Sequence, residues 1–215
     1  VYLYFHEKIV NDPEKRTKYL QVISTETQHA YSLINRILTI SKSQAGKLEL
    51  KKVQVDMTSM LSKMEENFKV NRLKNVSFEI HINCQYAFAD EEYLKEIFYN
   101  LIDNSIKYSD GDVTIRISTD KVDKGVSIRV RDNGIGISKA DQKVIFDKYE
   151  RASAAKRTFK KNGAPGFGLG LTYVFQVIDA HEGMIGVESE LGKYTEFSIF
   201  LPDQKTDSLD ANERS

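Results

Sequence analysis

Three short stretches of this chain hold residues whose types and spacing can do chemistry. In Asn100-Leu-Ile-Asp-Asn104-Ser-Ile-Lys107-Tyr108, two asparagines stand four apart. On a helix that spacing projects both amides from one face, side by side. Two neutral carbonyl oxygens suit a hard cation such as Mg²⁺, which keeps several waters and is shared with substrate phosphates. Lys107, one turn on, can reach an anionic phosphate. The ordinary alternative is an asparagine pair that only hydrogen-bonds water.

The second stretch, Asp132-Asn-Gly134-Ile-Gly136, follows an alternating strand pattern. Its glycines permit a tight turn and a close approach to a flat ligand. Its aspartate can accept a hydrogen bond from an exocyclic amine. Taken alone, the same pattern is often only a turn. The third, Gly163-Ala-Pro-Gly166-Phe-Gly168-Leu169-Gly170-Leu-Thr172, opens a helix. Glycines leading into a helix N-terminus expose N–H groups and aim the positive end of the dipole at phosphate. No strand of a βαβ unit precedes it, so a dinucleotide fingerprint is rejected. Between the last two stretches lie Lys139, Lys143, Lys148, Arg151, Lys156, Arg157, Lys160 and Lys161 against Asp141, Asp147 and Glu150. A basic segment beside a phosphate site reads as a lid over the ligand, with Arg151 as its chief contact; a solvated charged loop accounts for most of the lysines.

The elements that must position these residues can be read from periodicity. Asp12-Pro13 predicts a helix start, and Gly46 its stop. Between them Leu20, Ile23, Thr27, Ala30, Ile34, Ile37 and Ser41 alternate spacings of three and four, the seam of a helix packed lengthwise on another. The alternative is an amphipathic helix lying on the domain that follows. Asp56 predicts a cap for a helix presenting Met57, Leu61, Met64 and Phe68, and alternation over Val76, Phe78, Ile80 and Ile82 predicts a strand. A helix over 90–108 carries the asparagines. Strands follow over 113–117 and 126–130, joined by a turn containing Gly125. Ser138 and Asp141 predict a capping box for a helix through Phe146. A helix over 169–181 and strands over 184–188 and 195–201 complete the pattern.

Bulk properties narrow the function. Of 215 residues, 40% are hydrophobic, enough for a core, and Lys+Arg balances Asp+Glu at 31 each. No basic field therefore recommends nucleic acid or a membrane surface. Cys84 is the single cysteine, which excludes an internal disulfide; it reads as a small core residue. No apolar run approaches the roughly 20 residues of a membrane span, and no signal-peptide pattern opens the chain. The chain begins without Met in what reads as mid-helix, so it is expected to be an excerpt of a longer protein.

In order and spacing, these stretches resemble the boxes of the histidine kinase catalytic domain, within the ATPase superfamily shared with gyrase, mismatch-repair ATPases and heat-shock chaperones. The N box corresponds to residues 100–108 and the G1 box to 132–136. The F box corresponds to Phe146-Asp-Lys-Tyr149-Glu-Arg151, the G2 box to residues 166–170, and a last box to Gly192-Lys-Tyr-Thr195-Glu-Phe197. The run Arg36-Ile-Leu-Thr-Ile-Ser41-Lys-Ser-Gln-Ala-Gly46 resembles the second helix of the family's dimerisation and phosphotransfer hairpin. The resemblance implies an α/β (α+β) two-layer sandwich, a mixed sheet covered on one face by helices. It implies a partial hairpin over 1–47, a catalytic ATP-binding domain over 48–202 and a disordered tail over 203–215. Asp132 would take the adenine amine, with Gly134 and Gly136 shaping its loop. Asn104 with Asn100 would hold Mg²⁺, Lys107 and Arg151 would contact phosphate, and Tyr108 would lie near the base. Gly166, Gly168, Leu169 and Gly170 would approach the phosphates, and Thr195 would complete the binding set.

The implied activity is transfer of the ATP γ-phosphate to a histidine, for relay to a response-regulator aspartate. Homodimerisation of the parent through the hairpin, with membrane anchoring outside this chain, goes with it. Hydrolytic relatives are expected to carry a general-base glutamate where this chain has Asn100, and an amide takes no proton; weak intrinsic ATPase activity is expected. The motif that surrounds an acceptor histidine is absent. His6-Glu7 precedes the hairpin turn with no proline at the right distance, so phosphotransfer by this chain alone is not expected. His181 reads as structural, and His29 and His81 as carrying no constellation. The alternatives are a nucleotide-sensing pseudokinase and a gyrase-like or chaperone-like ATPase.

Overall fold

The computed structural model describes residues 12–70, 75–146 and 168–203. The first element is a long helix, α1 (Pro13–Gln44), whose N-cap Asp12 accepts the N–H of Lys15 at 3.1 Å. Gly46 ends it in a left-handed conformation, φ 64°. Residues 45–51 lead into β1 (Lys52–Asp56), and Asp56 accepts the N–H groups of Thr58 and Ser59 to start α2 (Met57–Val70). Next come β2 (Val76–Ile82), β3 (Tyr86–Asp90) and α3 (Glu91–Lys107). The hairpin β4 (Val113–Val122) and β5 (Gly125–Asp132) follows, then α4 (Gly170–Ala180) and the hairpin β6 (Met184–Glu190) and β7 (Tyr194–Pro202).

Five strands form one mixed sheet in the order β2-β4-β5-β7-β6. The β2–β4 pair is parallel and the others are antiparallel. Along β4 and β5, inward Ile115, Ile117, Ile128 and Val130 alternate with outward Arg116, Ser118, Arg129 and Arg131, as a half-solvated sheet requires. Helices α2, α3 and α4 cover the inner face, where Leu61, Leu94, Ile97, Phe98, Leu101, Tyr173 and Val177 are buried with the strand residues. The outer face is polar, with Arg116 paired to Glu79 at 2.5 Å and Arg129 to Asp120 at 2.6 Å. The two-layer sandwich follows from this division.

Several sequence expectations change here. A small antiparallel sheet, β1 with β3, was not predicted. Both strands are only five residues long and one follows directly on the apolar run of β2, so alternation alone does not separate them. Cys84 lies between β2 and β3, half-buried against the core rather than within it, its thiol donating to the Tyr86 carbonyl. The β4–β5 turn is Asp123-Lys124, with Lys124 at φ 59°. Gly125 instead opens β5, where a Cβ would lie 2.3 Å from the Leu201 carbonyl. Ser138 and Asp141 do close on each other, at 2.7 and 3.2 Å, but they start only a 3₁₀ turn, Asp141–Lys143. The Asp141 carboxylate accepts the Ser138 hydroxyl, and the 3₁₀ turn it opens runs only through Lys143.

The seam of α1 also resolves. Leu20 and Ile23 are 57% and 61% exposed, and Ile34 and Ile37 are exposed with them. The opposite side of the same helix packs on α4: Ile40 is fully buried in the core, and Ser43 Oγ donates to the Gln176 carbonyl at 3.3 Å. The packing of Ile40 and Ser43 accords with the reading of a helix lying on the domain, while the seam of the other reading is exposed.

Candidate functional site

Asp132 ends β5, and pairing of that strand with β7 places it opposite Thr195. It is 7% exposed. One carboxylate oxygen accepts the Gly134 N–H at 2.8 Å, and the other accepts the Ser105 hydroxyl at 2.9 Å. Burial raises the carboxyl above its ordinary range, while the N–H groups of Gly134 and Thr195, the Ser105 hydroxyl and the charge of Arg131 oppose the rise. A carboxylate offers about four lone-pair directions. Gly134 and Ser105 take two, with Thr195 paired opposite on β7, which leaves directions for a donor from outside. The Ser105 hydroxyl has a single proton and a second acceptor, the Leu101 carbonyl at 3.0 Å. The charged partner is the stronger of the two.

The loop after Asp132 is shaped by backbone proximity. A Cβ on Gly134 would lie 2.7 Å from Asp132 Oδ1 and 2.8 Å from the Tyr108 carbonyl. Gly136, at φ 68°, would drive a Cβ to 2.1 Å from the Glu190 carbonyl. The Ile135 N–H donates to the Tyr108 carbonyl, and the Gly192 N–H to the Ile135 carbonyl at 2.7 Å. This loop is thereby stitched to the end of α3 on one side and to the β6–β7 turn on the other. Ser189 adds a second fastening: its hydroxyl accepts the Ile137 N–H at 2.7 Å and donates to the Tyr194 carbonyl. Gln142 adds a third, its amide donating to the carbonyls of Ile137 and Ser189.

Asn100 lies one turn before Asn104 on the buried side of α3 and is 5% exposed. Its amide nitrogen donates to the Glu96 carbonyl at 2.7 Å, but its oxygen has no partner among the described residues. That oxygen faces the N-terminus of α4, where a Cβ on Gly170 would stand 3.2 Å away. Gly168 is left-handed at φ 69°, and Leu169, buried, is the N-cap residue of α4. Asn104 is half-buried, and its backbone carbonyl accepts the Tyr108 N–H. Lys107 is exposed and paired with Asp103 on its own helix at 2.5 Å. Tyr108 caps the C-terminus of α3, and Thr195 is buried with its hydroxyl 3.2 Å from that of Ser189.

The structure therefore gathers Asp132, Gly134, Tyr108 and Thr195 at one point and Asn100 with Gly170 at another, with Gly136 holding the loop between. Arg151 and Gly166 lie outside the described residues. Sequence reasoning missed Ser105, Ser189 and Gln142. Ser105 could have been flagged as the neighbour of Asn104; Ser189 and Gln142 carry no local signal, because their partners are distant in sequence. Among the described residues no group of three or more His, Cys, Asp or Glu could hold a metal by itself. The donor set that fits one is the Asn100 oxygen, without a partner among the described residues, with Asn104 beside it and Gly170 at the start of α4 opposite. Such a set needs a ligand's own phosphates to complete a hard cation's shell.

A mixed sheet under helices, with a buried carboxylate at a strand end and a glycine-led helix facing an amide oxygen, defines a nucleotide-binding class of domain. The chain belongs to the histidine kinase-, DNA gyrase B- and HSP90-like ATPase family, which matches residues 89–205. Sensor protein RprX of Bacteroides fragilis (strain YCH46) is 33% identical over 191 residues, covering 86% of this chain and 36% of RprX. The chain thus spans little more than a third of that relative. Full-length ShkA, solved with AMPPNP, is 25% identical with a TM-score of 0.69, covering 89% of this chain and 40% of that one. ThkA, solved with the response regulator protein TrrA, shares the fold with a TM-score of 0.62 at 20% identity, covering 94% and 56%. Within the family, the chain is a catalytic ATP-binding domain of the sensor histidine kinase kind.

Proposed function

We propose that this chain binds Mg-ATP between α3, the Asp132 loop and the start of α4, and that it donates the terminal phosphoryl group to a histidine on a helix outside the described residues. The observation that carries this reading is the Asp132 carboxylate, buried, held by the Gly134 N–H and the Ser105 hydroxyl and left with acceptor capacity. That capacity fits the exocyclic amine of adenine. The Asn100 and Asn104 oxygens would hold Mg²⁺ with the phosphates, and Tyr108 would lie beside the base. Lys107 and Arg151 would neutralise phosphate charge, and the N-terminus of α4 with Gly166, Gly168, Leu169 and Gly170 would receive the phosphates. Bound Mg-ATP supplies the transferable γ-phosphoryl group. The chain's own part is positioning and charge neutralisation.

Position 100 is an amide and takes no proton from water. A neutral imidazole nitrogen attacks through its own lone pair, so no base at position 100 has to generate the nucleophile, and a histidine acceptor fits this site better than water does. Residues 1–47 fit a partial dimerisation and phosphotransfer hairpin, residues 48–202 the ATP-binding unit, and 203–215 a polar tail. Dimerisation through the exposed seam of α1, relay to a receiver-domain aspartate, and a cytoplasmic position below a membrane-anchored sensor complete the proposal. The ThkA structure with TrrA supports the receiver-domain partner.

The test combines binding and transfer. Titration calorimetry should show Mg-ATP binding that Asp132→Asn weakens by about 10- to 100-fold, the loss of one charge-assisted bond. Given labelled Mg-ATP and a helical hairpin carrying an acceptor histidine, the chain should place alkali-stable, acid-labile label on that hairpin. Binding without label transfer would favour a nucleotide sensor instead. Rapid ATP turnover without any hairpin would point to a hydrolytic ATPase.

A further inference from the structure

Arg36 lies on α1, outside the 89–205 span that carries the family match. Its guanidinium nevertheless reaches the N-terminus of α4. The point where a Gly170 Cβ would stand is 4.0 Å from Arg36 Nη1 and 3.2 Å from the Asn100 oxygen. Three groups that favour phosphate or its cation therefore converge there: a guanidinium, a buried amide oxygen and the positive end of a helix. Arg36 is half-buried and makes no ion pair among the described residues. Close by, the Glu96 carboxylate accepts the hydroxyl of the buried Tyr173. Burial and Glu96 both push that phenol upward, so it stays a protonated donor. A half-buried guanidinium with no ion-pair partner among the described residues is costly to maintain. The docking of Ile40 and Ser43 against the domain sets where this part of α1 lies.

We propose that Arg36 is a phosphate-binding residue of the nucleotide site, supplied by the long helix rather than by the domain that holds the base. The inference rests on the adenine-nucleotide reading of that site. It makes the distal phosphates a tie between α1 and α4. Whatever binds those phosphates favours the docked helix, and by linkage the docked helix tightens the nucleotide.

The test is calorimetric titration of the whole chain with Mg-ATP and with AMP, for wild type, Arg36→Ala, Arg36→Lys and Asp132→Asn. Arg36→Ala should weaken Mg-ATP about tenfold, as expected for one partly solvated charge-assisted contact, and leave AMP within about twofold. Arg36→Lys should retain most of the affinity at low salt and lose it as salt rises, since a point charge remains but the fork does not. The nucleotide-free melting temperature of Arg36→Ala should be no lower than that of wild type. Mg-ATP affinity unchanged in Arg36→Ala, while Asp132→Asn weakens binding, would overturn this proposal and leave the site reading intact. Equal losses for AMP and Mg-ATP would also overturn it, by showing that Arg36 only supports the fold. Failure of wild type to bind either nucleotide, or full binding by Asp132→Asn, would remove the adenine site and this proposal together.

Discussion

At the scale of single residues, Asp132 carries opposite pH signs for folding and for ligand binding. Burial lifts its carboxyl above the ordinary value. A folded-state pKa above the unfolded one means that protonation favours the folded state. This residue's contribution to stability is therefore present at low pH and lost as pH rises through the raised value. Accepting an amine requires the carboxylate, so nucleotide affinity runs the other way. Mg-ATP binding measured by calorimetry should weaken as pH falls through a midpoint above the ordinary 3.8 of an aspartate. Ser105→Ala removes a donor that favours the charged form, so its midpoint should move up further. A Ser105→Ala profile that superimposes on wild type would show that Thr195 and Gly134 alone hold the charge.

Elements impose the next constraints. Gly136 combines φ 68° with a carbonyl where its Cβ would be. Gly136→Ala should cost more than the roughly 1–2 kcal/mol of a left-handed alanine alone, because the β6–β7 turn must also move. Urea unfolding checks this, and loss of Mg-ATP binding should accompany it. His181 joins two other elements. Its Nε2 accepts the Asp90 N–H at 3.0 Å, at the N-cap of α3, and its Nδ1–H donates to the Val177 carbonyl at 2.7 Å. That tautomer is neutral, and burial holds the pKa below 6.5, helped by the charge of Lys52 and opposed by Asp90. The unfolded chain binds this proton more readily, so the stability His181 contributes is present above about 6.5 and lost as pH falls through the depressed value. Urea unfolding at pH 7 and pH 5 should show a loss in wild type that His181→Gln lacks. At pH 7 that variant should be less stable by about 1–3 kcal/mol for the unmatched Asp90 N–H.

For the whole molecule, the question is what fastens α1 to the domain. Ile40 is the fully buried anchor, whereas Ile23 is exposed. Ile40→Ala should lower stability by about 2–5 kcal/mol, in the range of buried large-to-small changes. Ile23→Lys should stay within about 0.5 kcal/mol, as surface changes do. Thermal melting at low protein concentration distinguishes the two. Equal effects would mean that the exposed seam is covered in solution. Tyr173 and Arg36 show why this junction matters: both stand where α1, α3 and α4 meet, and both border the phosphate end of the proposed site.

Local chemistry was sufficient to write down much of this molecule. Asp12-Pro13, Gly46, Asp56 and Asp90 act through neighbours a few residues away, so the helix ends are legible in one dimension. Asn100, Asn104, Asp132 and the glycines of 134–136 and 168–170 could be chosen because each motif carries its own geometry, and their order supplied the family. What required tertiary structure involves partners distant in sequence. Ser105 meets Asp132 27 residues on, and Asp90 meets His181 91 residues on. Gly136 is required by the carbonyl of Glu190, not by its own turn. The small β1–β3 sheet forms because its two strands find each other across a helix and another strand, a pairing no local pattern encodes. Arg36 was only a charge on a predicted helix until the packing of Ile40 placed its guanidinium beside Gly170. Periodicity specifies which face of an element is apolar; which atoms then converge is decided by how the faces close on one another.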